Sequence, residues 1–262
     1  MRISEGSRDL SAGREVPPFV PPVAGSCCRP GAPPPRSIAL RKRLMALALS
    51  RFHGRYERLV ALRKRALFDG LAGTVLEIGP GTGANFAYYP PDIRWIGIEP
   101  NPFMYPYLRA AAARAGLSID IRDGRAERLD SDDESVDAVV STLVLCSVPD
   151  LSGTLREIQR VLRPGGRFLF IEHVADLPGT WLRRIQRLLR PLVRSLADGC
   201  HIDRDTSLAI ERHGFAGVAY QRFRLPIPLV APHIIGVATK RTAAGHTVCP
   251  STAFPPSGSG SP

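Results

Sequence analysis

Apolar residues fall along this chain in short runs separated by helical stretches. Thr74–Ile78 is a β-branched and apolar run that predicts a buried strand. Arg94–Ile98, Ser118–Arg122 and Val136–Ser141 repeat the pattern, and a fifth run ends at Ile171 after the turn Pro164-Gly165-Gly166. Between the runs, Pro102–Gly116 and Leu151–Leu162 have helical character. Beyond them come the helical segments Trp181–Leu196 and Thr206–His213, then two closing strands, Val218–Arg224 and Ile234–Lys240. Strands alternating with helices predict an α/β fold: a Rossmann-like, seven-stranded, doubly wound sheet.

An N-terminal helical segment precedes this core. Leu40, Leu44 and Leu47, then Tyr56, Leu59, Val60 and Leu67, fall at helical spacing over Ser37–Phe68, as one or two amphipathic helices. Ten basic residues lie between Arg36 and Arg65, against the single acid Glu57. Met1–Arg36 holds eight of the 25 prolines and predicts an unstructured leader, as does the Pro, Gly, Ser and Thr composition of residues 242–262 for a tail. The expected organisation is therefore leader 1–36, basic helical segment 37–70, catalytic-type domain 71–241 and tail 242–262.

The chemistry concentrates where the first strand ends. Gly79-Pro80-Gly81-Thr82-Gly83 follows Glu77-Ile78, and Ala84-Asn85 is expected to open a helix with its amides toward a ligand. Gly79, Gly81 and Ala84 also fit the dinucleotide fingerprint G-x-G-x-x-G/A. Glu77 argues otherwise, because a carboxylate at that position repels a pyrophosphate and suits a cation. S-adenosylmethionine (SAM) carries an ammonium and a sulfonium and no phosphate. At the end of the second strand, Glu99-Pro100-Asn101 places an acid to accept both ribose hydroxyls. Thr142-Leu143, after the fourth strand, is expected to wall the same site.

These motifs, from Leu76 to Ile171, resemble the class I SAM-dependent methyltransferases. The resemblance implies SAM as cofactor. It also implies that Asp123-Gly124-Arg125-Ala126-Glu127 flanks adenine. Many relatives have an accepting Asp where Arg125 stands; here backbone groups of Arg125 and Ala126 are expected to read the base, with Asp123 as the alternative. Further phrases, Thr142–Val148, Glu172-His173-Val174, Asp198-Gly199-Cys200 and Pro232-His233-Ile234, resemble the methyltransferase-like 7 group of membrane-associated thiol methyltransferases. That likeness implies a small lipophilic thiol as acceptor. Members of that group carry an apolar N-terminal anchor, where this chain has a basic amphipathic segment.

Two histidines are candidate catalytic residues: His173 at the top of the fifth strand, as base or as pocket wall, and His233 at the acceptor end. Cys146 is expected to be a buried structural thiol. Cys200-His201 alone does not make a metal site, and no C-x-x-C occurs, so no metal is expected. Five cysteines without framework spacing suit a reducing cytoplasm.

The formal charge of +11 permits nucleic acid, anionic membrane or acidic substrates. No Asn/Asp-Pro-Pro-Tyr/Phe motif follows the fourth strand, which argues against nucleic acid and leaves a small-molecule methyl acceptor. The basic amphipathic segments 37–68 and Trp181–Leu196 suggest peripheral membrane contact, with Leu47 and Leu49 at the interface. Pro191 is expected to kink the second of them.

Overall fold

The computed structural model describes residues 36–242. The expected leader and tail, apart from their innermost residues, lie outside the described residues, as do Cys27 and Cys28. Helix α1 (Arg36–Phe68) opens the described chain as one continuous helix. Seven strands follow: β1 (Thr74–Ile78), β2 (Arg94–Ile98), β3 (Ile119–Arg122), β4 (Val136–Thr142), β5 (Leu162–His173), β6 (Gly217–Arg224) and β7 (Pro232–Thr239). They form one sheet in the order β3-β2-β1-β4-β5-β7-β6. All pairings are parallel except those of β7, which runs antiparallel to both β5 and β6. The remaining helices are α2 (Tyr105–Ala115), α3 (Leu151–Val161), α4 (Trp181–Leu196) and α5 (Thr206–Arg212). The expected α/β class and doubly wound order are what the chain adopts.

Central strands of such a sheet are covered on both faces, so their residues are apolar without alternation. Val139 and Val140 are both fully buried, as are Phe168, Leu169, Phe170 and Ile171. One face packs Val60, Leu67 and Phe68 of α1 and Leu108 of α2 against Trp95, Val140 and Leu169. The other packs Leu155 and Ile158 of α3 and Ile210 of α5 against Leu76, Val139, Phe168 and Phe170.

One expected element is absent. The chain after the glycine loop forms a short 3₁₀ turn, Phe86–Tyr88, rather than an α-helix opening at Ala84-Asn85. Pro90 and Pro91 cannot donate the bonds a continuing helix needs, and Gly83 sits at φ 80°, so too little chain remains between them. The C-terminal half of α1 covers that part of the sheet instead, with the Phe68 ring tilted against Tyr89 at 5.2 Å. The fifth strand also differs in detail: the Pro164-Gly165-Gly166 turn is a bulge within β5, seen as a register shift against β4 between Val136 and Ala138. Pro191 lies inside α4.

Gly97 illustrates how tightly the first face is fitted. A Cβ there would stand 2.1 Å from Cη2 of Trp95, whose indole occupies the space over the glycine. Gly97→Ala must displace that ring. The expected cost is about 1–3 kcal/mol, a fall in Tm of roughly 5–10 °C by calorimetry; an unchanged Tm would show that the indole has another place to go.

Candidate active site

The predicted cofactor residues gather at the carboxyl ends of β1, β2, β3 and β4, where open α/β sheets bind ligands. Gly79, Gly81 and Gly83 all have positive φ, at 58°, 56° and 80°. A Cβ on Gly79 would lie 2.7 Å from Val144 Cγ2, and one on Gly83 would lie 2.8 Å from the Phe86 ring. At Gly81 nothing comes closer than the Gly79 carbonyl at 4.0 Å. Two glycines thus let the loop pack down, and the third leaves backbone open to a ligand.

Glu99 stands beside that opening. Its two oxygens accept from Gly81 N at 3.0 Å and Asn101 N at 2.9 Å. Burial pushes its pKa up to about 7, opposed by these two amides. Each oxygen keeps a lone pair for a ribose hydroxyl. Pro100 and Asn101 continue the wall, and both meet α1: Lys42 Nζ donates to the Pro100 carbonyl, and Asn101 Nδ2 donates to the Lys42 carbonyl at 3.1 Å. Asp123 and Arg125 are exposed, and Ala126 is half-buried, in the loop beyond β3. Leu143 closes the β4 end with φ 58°, its amide donating to Ile171 O at 2.9 Å.

Glu77 is placed differently from a ligand-facing acid. Its Oε1 accepts from Asn85 Nδ2 at 2.7 Å, and its Oε2 accepts from Tyr89 OH at 2.8 Å and Trp95 Nε1 at 3.0 Å. It is 2% exposed, and burial raises its pKa against those three donors. Only Oε1, with a single donor, keeps a lone pair, and it lies behind Asn85. The same Asn85 Nδ2 also donates to Thr142 Oγ1 at 3.1 Å, while Asn85 Oδ1 is buried without a partner. That free acceptor fits the positive end of the cofactor.

A second group of polar residues lies at the same edge, past β4. His173 ends β5 and pairs in register with His233, the second residue of β7, because β7 runs antiparallel. Their rings are 6.4 Å apart. Tyr56 of α1 packs on His233 at 5.8 Å. Glu172 accepts from Ser141 Oγ and, at 3.2 Å, from Val144 N; burial pushes its pKa up to about 8. Burial likewise pushes His233 down to about 4, which leaves it neutral near pH 7. Three buried atoms here have no partner: Tyr56 Oη, Glu172 Oε2 and His173 Nδ1. Unsatisfied polar groups concentrated in one place mark a site built to take a ligand.

Two cysteines complete it. Cys146 is buried beside Ser147, and Cys200 lies 3.2 Å from His173 Nε2. Bonding to Cys200 and the adjacent His173 hold the Cys146 thiol well below the ordinary cysteine value, in spite of burial. The pair Cys200-His201 does not show in sequence what the fold brings together: Cys146, His173 and Cys200 have ligand atoms within 4.8 Å of one another. Tyr56, Glu172 and Arg204 were not foreseen as site residues, and no local pattern marks them. A separate groove of about 450 Å³ between α1, Thr82–Ala87 and α2 touches neither Glu99 nor His173.

Comparison with known proteins agrees with this geometry. Residues 76–170 match the family described as methyltransferase domain. The chain is 42% identical over 205 residues to the human thiol S-methyltransferase TMT1A, covering 73% of this chain and 84% of that protein. The chain belongs to the thiol S-methyltransferase family of SAM-dependent methyltransferases. To human thiol S-methyltransferase TMT1B it is 40% identical over 194 residues, covering 68% of this chain and 78% of the relative. The crystal structure of the YcgJ protein from Bacillus subtilis shares the fold at a TM-score of 0.58 and 18% identity, covering 71% of this chain and 99% of that one.

The methyltransferase therefore uses SAM, and Glu99 offers a direct check. Ribose hydroxyls donate to a carboxylate, so binding favours the ionised form. SAM affinity is expected to rise as pH increases toward about 7 and to level off above it. Glu99→Gln should remove that dependence, and Glu99→Ala should weaken binding by roughly 10- to 100-fold. Calorimetric titration across the pH range tests both, and a Glu99→Ala variant with native affinity would refute the assignment.

Proposed function

We propose that the methyltransferase acts on a small thiol held beside Tyr56, His173, His233 and the Cys146 segment. The carrying observation is this buried group of unpartnered polar atoms, at the carboxyl edge next to the glycine loop. The names of the two human relatives support a thiol as the acceptor. Bound SAM supplies an electrophilic methyl whose sulfonium is its own leaving group. The protein's share of the work is alignment: the acceptor must lie in line with the methyl, with water kept out. Tyr56 of α1 covers the buried His233 and provides the exclusion. A thiol, with a reference pKa of about 8.5, ionises enough near neutral pH to need little general base. A phenol or an amine would need one, and His233, which is neutral at pH 7 and buried, would have to serve from within the core.

Turnover of SAM to S-adenosylhomocysteine with a panel of small thiols, phenols and amines tests the reading. Thiols are expected to exceed the others in kcat/KM by on the order of tenfold or more. Turnover of phenols or amines with none of thiols would overturn it.

The surface supports a second element of the reading, attachment to an anionic membrane. Trp181, Leu188, Leu192 and Leu196 form a helical stripe on α4 and are 71%, 75%, 56% and 69% exposed. Arg184, Arg187, Arg190 and Arg194 flank it and are exposed too. On α1, Leu40, Leu44, Leu47 and Leu49 are exposed among basic residues. No helix among the described residues is long and apolar enough to cross a membrane. An apolar stripe bordered by arginines suits the plane of a lipid headgroup layer. Sedimentation with phosphatidylserine-containing vesicles should capture the protein in a salt-sensitive way, and Trp181→Ser with Leu188→Ser should lose most of it; equal capture by neutral vesicles at high salt would argue against this attachment.

A further inference from the structure

Cys146, His173 and Cys200 reach one place from three parts of the chain: the segment after β4, the end of β5 and the turn after α4. We propose that they form a binding site for one thiophilic divalent cation, zinc foremost, with three protein ligands and a fourth position open to the acceptor pocket.

The donor set points to that class of metal. Two sulfurs and one imidazole favour zinc over the oxygen-seeking magnesium and calcium. Distances agree. Zinc bonds of about 2.3 Å to sulfur and 2.0–2.1 Å to nitrogen, in tetrahedral array, put ligand atoms roughly 3.4–3.8 Å apart. Here the three ligand atoms lie within 4.8 Å of one another, and the His173–Cys200 edge is already 3.2 Å. Adjustment of about 1 Å or less, within reach of side-chain rotation, completes the geometry.

The surroundings hold the ligands in place without the metal's help. His201 N donates to Cys146 O at 2.8 Å, joining the two cysteine-bearing segments. Arg204 Nη1 donates to Leu145 O at 2.7 Å and Val148 O at 2.8 Å, fixing the segment on either side of Cys146. Such outer contacts are what hold metal ligands in orientation. His173 turns Nε2 toward Cys200, so that nitrogen is the ligand.

Three ligands rather than four distinguish reaction sites from purely structural ones, because a coordination position stays free. Binding releases the two cysteine protons to solvent, so a dication with two thiolates is neutral. The metal site stands without the thiol reading; its fourth position rests on that reading. There an acceptor thiol coordinates as thiolate, its proton passing to solvent. Its sulfur forms the new bond to the methyl carbon as the sulfonium–methyl bond breaks, giving a thioether and S-adenosylhomocysteine.

The test uses the full chain purified without added chelator. Elemental analysis should find about one zinc per chain, and added Zn²⁺ should raise the Tm of chelator-treated protein by mass action. Replacement by Co²⁺ should produce a thiolate-to-cobalt charge-transfer band with the visible absorption of a tetrahedral ion. Cys146→Ser and Cys200→Ser should each lose that band and weaken zinc binding by about a hundredfold or more. Cys27→Ser with Cys28→Ser should keep both, since the proposed site does not call on them. Retained SAM binding shows that each variant is folded. No retained zinc with no Tm response overturns the site, as does a cobalt spectrum unchanged in Cys200→Ser. Metal content is read without any acceptor, so zinc without thiol turnover would overturn only the proposed function. Full thiol turnover by zinc-stripped protein would overturn the role of the fourth position.

Discussion

A buried carboxylate under the glycine loop ties the cofactor end of the fold together. Glu77 takes three hydrogen bonds, from Asn85, Tyr89 and Trp95, which belong to the loop exit, the segment after the 3₁₀ turn and the neighbouring strand β2. Burying an ion costs several kcal/mol unless it is bonded on every side. The arrangement is therefore all or nothing: with its donors in place Glu77 sets the loop's height over the sheet, and with one missing it would push the loop away. Lys64 of α1 adds a positive field from the far side, itself buried against Glu57 at 2.6 Å. Loop, second strand and first helix thus share one electrostatic centre.

Much of this could be read from residues in order. Strand positions followed from runs such as Val75–Ile78 and Val136–Ser141, because a strand buried on both faces needs apolar residues in succession. The acid ending β2 and the glycines after β1 were legible for the same reason, being local and set by backbone geometry. The helix expected after Gly83 failed for a reason equally local, the Pro90-Pro91 stop. Glu77 shows a subtler limit. Its position was read correctly, but a sequence does not say which way a side chain leaves a strand end, and Trp95 and Tyr89 decide it. The polar group around His173 was legible only in pieces. Cys146, His173, Cys200 and Tyr56 are far apart along the chain, and their convergence follows from sheet order and from the path of α1, neither of which leaves a short-range mark.

Helix α1 is where the two halves of the site meet. Its C-terminal half is fixed by core contacts at Val60, Leu67 and Phe68. Its N-terminal half rests on polar contacts, Lys42 with Pro100 and Asn101, and Arg41 with Asp198 at 2.8 Å across exposed surface. An exposed ion pair contributes at most about 1 kcal/mol. One end of the helix is thus set in the core, and the other is held mainly by polar contacts around buried Ala46. Tyr56 stands between the two.

The reversed strand β7 sets a tolerance on this whole region. Since it runs against β5, its beginning rather than its end faces the ligand edge, and the phase of that beginning is set by its pairing with β5 and by the length of the hairpin 225–231. Side chains along a strand alternate faces. One residue added to or removed from the hairpin, if taken up as a slip of β7, would carry His233 to the opposite side and bring Pro232 or Ile234 into its place. A connection remote from any reacting atom therefore works as a spacer of fixed length, and the shape of the acceptor pocket is counted out in whole residues rather than adjusted by degrees.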